Sequence, residues 1–315
     1  MDPIDGLLSI GFGKALALYE AVRLHAYDAQ SNHLHFLLSA TEPAQVPLFL
    51  DFVHGNIARQ INALRRRRGT FWSRRGAVIA VLDPKAQVAR LRYLLAQGPA
   101  AGLVCSPTQW PGASSTRALL DELCVPATYV SLDKQRRNAA LQHPRPVEEL
   151  GEDVSFELAP LPAWADLKPA ALRAKVAELV EDIVTQHKGK TFLGARAVRT
   201  QHWERTPKKS KRSPMPRCHA STAAGYRRYT AAYRTTSIVS LVVALVLGGS
   251  LAIQALAGAP VGALIGTGAV AAVLLVNAFA FFQIASFAGR YASDSLALAW
   301  FADDRVVVGP WLSRY

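Results

Sequence analysis

Val22-Arg23-Leu24-His25-Ala26-Tyr27-Asp28-Ala29, then Gln30-Ser31-Asn32, then His33-Leu34-His35-Phe36-Leu37-Leu38-Ser39-Ala40 is the stretch that decides the fold. Two alternating runs flank three polar residues, which predicts two strands, Val22 to Ala29 and His33 to Ala40, joined by a short turn. Successive strand residues face opposite ways, so His33 and His35 leave the same face and can reach one ion. Taken alone, such a His-x-His pair is incidental in most proteins.

Outward from that hairpin, Phe12 to Val22 reads as helix. Val46 to Arg68 reads as a long amphipathic helix, with Leu50, Val53, Ile57, Ile61 and Leu64 at intervals of three and four. Arg75 to Leu82 is a further strand. Asp83 then supplies an N-cap and Pro84 a first helical residue for a helix reaching about Gln97. This order predicts an α+β sandwich, a small antiparallel sheet with helices on one face. Tyr93 and Gln97 are four apart and share a helix face. If that helix packs beside the histidine strand, a phenol, an amide oxygen and two imidazoles converge, two nitrogens and one oxygen for a divalent ion. The plainer alternative makes Tyr93 an aromatic at a helix surface.

Several motifs in one order tip that balance. Ser31-Asn32-His33-Leu34-His35-Phe36-Leu37-Leu38, Gly69-Thr70-Phe71-Trp72, Leu91-Arg92-Tyr93-Leu94-Leu95-Ala96-Gln97, Ala101-Gly102-Leu103-Val104 and Trp110-Pro111-Gly112 together resemble the REP-associated tyrosine transposases, of the single-tyrosine HUH transposase family. Thr191-Phe192-Leu193-Gly194 and the basic segment after it resemble the C-terminal region of longer relatives, and Ala302 to Val308 faintly resembles their end. The resemblance implies a ferredoxin-like (RRM-like) sandwich. It implies Tyr93 as the nucleophile on a DNA phosphodiester, giving a 5′-phosphotyrosine, and His33, His35 and Gln97 as ligands of Mg²⁺ or Mn²⁺. The implied partner is single-stranded or hairpin DNA, with a homodimer as one form of the active unit.

The chain also departs from that pattern. It begins almost at the helix matching Phe12, so a strand central to such a sheet is missing. Either the true start lies upstream, or residues 1–10 replace the strand, or the protein is a decayed copy. Asp28 is a charge where an apolar residue is usual, and Gln97-Gly98-Pro99 stands where many relatives carry Asn-Pro-Val.

The net charge of +13 favours a polyanionic partner, nucleic acid or an anionic membrane surface. Between Lys188 and Arg234 thirteen Lys and Arg face one acid, Glu204, whereas 146–187 carries nine acids against three bases. That shift divides the chain into a transposase-like domain at 1–125, an acidic linker and helix at 126–187 and a helical basic extension at 188–234. A hairpin at 235–289 and a tail at 290–315 follow. Arg65, Arg66, Arg67 and Arg68 beside Arg74 and Arg75 are candidate phosphate contacts, with Trp72 as a stacking platform. Lys208, Lys209, Lys211 and Arg212 suit DNA or an anionic leaflet equally. His202, Cys218 and His219 match no zinc spacing. Three scattered cysteines suggest a reducing compartment, and the N-terminus has no signal-peptide pattern.

From Thr235 to Gly289 there are 55 residues without a charge. The run is long enough for two spanning helices, Ser237 to Leu256 and Val261 to Ile284, around a Gly258-Ala259-Pro260 turn. Arg227, Arg228, Arg234 and Arg290 would hold both ends in the cytoplasm at a bacterial inner membrane. The expectation is therefore a transposase that cuts and rejoins single-stranded DNA in transposition or REP-element mobilisation. The alternatives are an inactive remnant that only binds DNA, fused to a membrane hairpin, and a membrane protein whose soluble part is a cytoplasmic anchor.

Overall fold

The computed structural model describes residues 3–30, 33–64, 68–72, 77–129, 131–200, 218–235 and 297–301. Helix α1 (Pro3–Leu18) leads into the hairpin of β1 (Val22–Ala29) and β2 (Leu34–Ala40). The two strands pair antiparallel, Val22 opposite Ala40 and Ala29 opposite Leu34, with a bulge between Leu24 and Ala26. Helix α2 (Gln45–Leu64) and strand β3 (Ala77–Val81) follow, then α3 (Pro84–Leu95) and the short α4 (Gln97–Ala100). Asp83 caps α3 by accepting from the Ala86 amide at 2.9 Å, with Pro84 in the first turn where its missing N–H costs nothing.

Helices cover both faces of the sheet. Phe36 packs on Phe12 of α1, and its cross-strand partner Tyr27 lies on the same side, 5.0 Å from Phe12. The neighbouring residue His35 points the other way, towards Tyr93 of α3. Strand β2 is therefore buried on both sides, with Leu34, Phe36, Leu37 and Leu38 all 3% exposed or less. On α2 the predicted stripe of Leu50, Val53, Ile57 and Ile61 is buried, joined by Val46 and Phe49. The helix is described as far as Leu64, and Arg68 lies outside it.

The remaining elements are α5 (Thr116–Leu120), β4 (Cys124–Val125), β5 (Thr128–Tyr129), α6 (Leu132–Ala139), β6 (Glu152–Asp153), β7 (Phe156–Glu157), α7 (Pro169–Gln186), α8 (Ala195–Thr200), β8 (Cys218–His219) and β9 (Ala297–Phe301). Residues 223–235 are helical. The acidic stretch packs into the main core, since Leu158, Leu161, Leu172, Val176 and Ile183 all belong to it. Strands β4 with β7 and β5 with β6 form two small ribbons.

The main sheet has five strands in the order β1-β2-β9-β3-β8. Strand β9 lies between β2 and β3, antiparallel to both, with His35 and Ala77 each opposite Phe301. The sequence predicts a sheet short of its central strand, and this is corrected. Residues 3–18 do not replace that strand because they are helix, and the C-terminal β9 occupies the gap. The expected antiparallel sheet with helices on one face is corrected as well. Strand β8 runs parallel to β3, Ala80 opposite Cys218, and helices lie on both faces.

The described architecture is thus a mixed helix-and-strand fold with one five-stranded sheet, two ribbons and no closed barrel, not the ferredoxin-like sandwich with a membrane hairpin. No helix among the described residues is long and apolar enough to cross a membrane. The proposed spans within 235–289 lie outside the described residues, as does the stretch from Ala302 to Val308. Neither the membrane hairpin nor anchoring in an inner membrane is retained.

Candidate functional site

The site begins at the β1–β2 turn. The Gln30 amide donates to the His33 carbonyl at 2.9 Å, which closes the turn and sets His33 at the mouth of β2. The rings of His33 and His35 lie 4.5 Å apart at 76°. His35 is 4% exposed, and burial, with His33 beside it, pushes its pKa down to about 3, against a hydrogen bond with Gln97 that raises it. It is therefore neutral at physiological pH, the form in which imidazole ligates a metal.

Helix α3 brings the other two predicted residues to the same place. The Tyr93 ring is 6.0 Å from that of His35, and Tyr93 is 43% exposed, so a large substrate has access to its phenol. Gln97 opens α4; its Nε2 donates to the Tyr93 carbonyl at 3.0 Å while its amide also bonds His35. All four predicted residues, His33, His35, Tyr93 and Gln97, converge on one face of the sheet.

What fixes Gln97 lies in motifs whose spacing did not show that role. The Trp110 indole donates to the Ala29 carbonyl, at the end of β1, across 2.9 Å. Its ring lies under Gly98, where an added Cβ would sit 2.7 Å from Val104 and 3.2 Å from Trp110. At Gly112 a Cβ would come within 2.8 Å of the Trp110 nitrogen and 3.1 Å of the Ala29 oxygen. Both positions need glycine because the approach leaves no room for a side chain. Trp110 thereby ties the turn carrying His33 to the residue following Gln97. Val198 of α8 completes its packing, and Leu193 and Gly194 donate to the Gly102 and Leu103 carbonyls at 3.0 and 2.9 Å.

Two more features were not singled out as site residues. Asp28, opposite His35 in register, is 4% exposed and hydrogen-bonded to Gln30 and Ser114. Burial pushes its pKa up to about 7, and those two hydrogen bonds pull the other way. Arg90, one turn before Tyr93 on α3, places its guanidinium carbon 5.0 Å from the centre of the Tyr93 ring. The i, i+3 spacing was the only signal for it.

Trp72 is half-buried, donates its indole N–H to the His54 carbonyl at 3.0 Å, and packs against His54 and Phe71. Arg68 is exposed. The other predicted DNA contacts, Arg65, Arg66, Arg67, Arg74, Arg75, Lys208, Lys209, Lys211 and Arg212, lie outside the described residues, as does His202. Cys218 is buried against Ala80 and Tyr229, and burial pushes its thiol up to about 11, the behaviour of a structural cysteine.

Among the described residues no group of three or more His, Cys, Asp or Glu is placed to hold a metal. The site's own donor set is two imidazoles and a carboxamide. The neutral His35, the adjacent His33 and the Gln97 amide in contact with His35 fit a divalent ion with positions left open for other oxygens. No family model, curated protein or solved structure matches the chain.

Proposed function

We propose that the protein is a DNA strand transferase that cleaves and rejoins single-stranded or hairpin DNA with Tyr93 as nucleophile. The observation that carries this reading is the meeting of an exposed tyrosine with a buried imidazole, its half-buried neighbour and a carboxamide on one sheet face. A phenol beside imidazole and carboxamide ligands suits phosphoryl transfer, in which the group attacked is anionic and the nucleophile must be placed rather than strongly basic.

In the cleavage step the Tyr93 oxygen bonds to phosphorus as the bond from phosphorus to the 3′ oxygen breaks. The phenolic proton passes to solvent and the released 3′ oxygen takes one up, leaving a 3′ hydroxyl and a 5′-phosphotyrosine. The reverse step rejoins a strand without any other energy source, because the phosphodiester is kept as an ester of Tyr93. His33, His35 and Gln97 would hold Mg²⁺ or Mn²⁺, which supplies polarisation of the phosphate and charge neutralisation. Gln97 has a second task, fixing the pitch of the Tyr93 turn through its bond to the Tyr93 carbonyl.

Full-length protein incubated with Mn²⁺ and a labelled stem-loop is expected to form a covalent protein–DNA adduct. Tyr93→Phe is expected to reduce that adduct to background. An adduct of wild-type yield in the variant, or none from the wild type, refutes the proposal.

A further inference from the structure

We propose that Arg90 is the anion-holding residue of this site, binding a non-bridging oxygen of the phosphodiester that Tyr93 attacks. The assignment rests on the phosphoryl-transfer reading and adds a group that none of the motifs contains.

Three observations support it. The Arg90 guanidinium carbon stands 5.0 Å from the Tyr93 ring centre, so any phosphorus within bonding reach of the phenol lies in its neighbourhood. No carboxylate among the described residues is within ion-pair distance of Arg90. Burial holds its pKa below the ordinary arginine value, against a raising effect from Tyr93, so the charge is partly stripped of water with no carboxylate counter-ion among the described residues. Arg92, two residues on, gives the contrast: its guanidinium donates to Gln186 of α7 at 2.7 Å and is used in holding two helices together.

A partly desolvated guanidinium lacking an acid is costly unless an anion completes it. Its planar fork matches two phosphate oxygens, which lysine does not. The cation–π contact with the Tyr93 ring restricts the guanidinium before DNA arrives, so less side-chain freedom is lost on binding.

The test uses full-length protein in a Tyr93→Phe background, which prevents cleavage, with a random-sequence single-stranded oligonucleotide pool as probe. Affinity is measured by anisotropy across a salt series. Each phosphate contact on single strands contributes about 0.7 to the slope of log affinity against log salt. Arg90→Gln is expected to weaken binding several-fold and flatten the slope by about that amount. Arg90→Lys is expected to keep the slope, since the charge remains. Mn²⁺ affinity, read by electron paramagnetic resonance without DNA, is expected to be the same in all three proteins.

An unchanged slope in Arg90→Gln overturns the assignment, and so does equal flattening in Arg90→Lys. Absence of adduct from the Tyr93 protein, with the Arg90 slope change intact, leaves an anion site and sinks strand transfer alone. If both fail, the two proposals fall together.

Discussion

His25 is buried in β1 in a setting that favours its neutral form. Its Nδ1 donates to the Ala159 carbonyl at 3.0 Å, and its Nε2 accepts from the Ser39 hydroxyl at 2.9 Å. Burial pushes its pKa down to about 4 from the ordinary histidine value, against weaker raising effects from the Ala159 and Pro160 backbone. Since the unfolded chain binds this proton more readily than the folded one, stability is full above pH 6.5 and falls as pH drops towards 4. His25→Gln removes the titration. Urea denaturation across that window is expected to show the wild type losing about 3 kcal/mol more than the variant. Parallel pH profiles of the two proteins would refute it. His33, His35, Tyr93 and Gln97 were legible because spacing put each pair on one face and the family resemblance singled out both pairs. Arg90 was not, because an arginine one turn from a tyrosine is commonplace until the lack of an acid partner is seen in three dimensions.

Elements differ in how plainly they announce themselves. The β1–β2 hairpin, the apolar stripe of α2 and the Asp83–Pro84 start of α3 are local patterns, and each appears where periodicity and capping place it. Helix α1 runs Pro3–Leu18 and not Phe12 to Val22, because Val22 opens β1 and donates to the Tyr19 carbonyl at 2.9 Å as the turn between them. The ribbons of two-residue strands have no period to detect. The α3–α4 junction shows what local patterns omit. Its geometry depends on Gly98, Val104 and Trp110 meeting; all three stood in quoted motifs, but nothing in their spacing showed that they touch. Gly98→Ala sets a methyl group 2.7 Å from Val104. Overpacking of that kind costs about 1–3 kcal/mol. The variant is expected to unfold at lower urea and to bind Mn²⁺ more weakly, because Gln97 shifts with its neighbour. Trimming Val104 to alanine in the same chain removes the clashing methyl, and recovery of Mn²⁺ binding in the double variant is the check. Wild-type stability in Gly98→Ala alone would show that the junction yields freely.

At the scale of the whole molecule, the two ends of the chain meet in the sheet. Strand β9 (Ala297–Phe301) sits between β2, which carries His35, and β3, which leads through Asp83 into the helix of Tyr93. No residue pattern near the N-terminal hairpin marks such a partner, because pairing between strands more than 200 positions apart leaves no local trace. The decayed-copy reading leaned on a missing central strand, and with β9 in place that support is gone. A chain cut after residue 235 loses β9, leaving the facing backbone groups of β2 and β3 unpaired over five register positions on each side. Buried amides and carbonyls without partners are expensive, so the two strands cannot simply close over the gap unchanged. The histidine strand and the tyrosine helix are then joined only through the remaining core, and their spacing is no longer fixed by a shared sheet. The cut protein is expected to show a broadened urea transition and to lose its DNA adduct. A synthetic peptide spanning β9, added in trans, is expected to restore part of both by strand addition. Full adduct formation by the cut chain without peptide would show that β9 does not set the site.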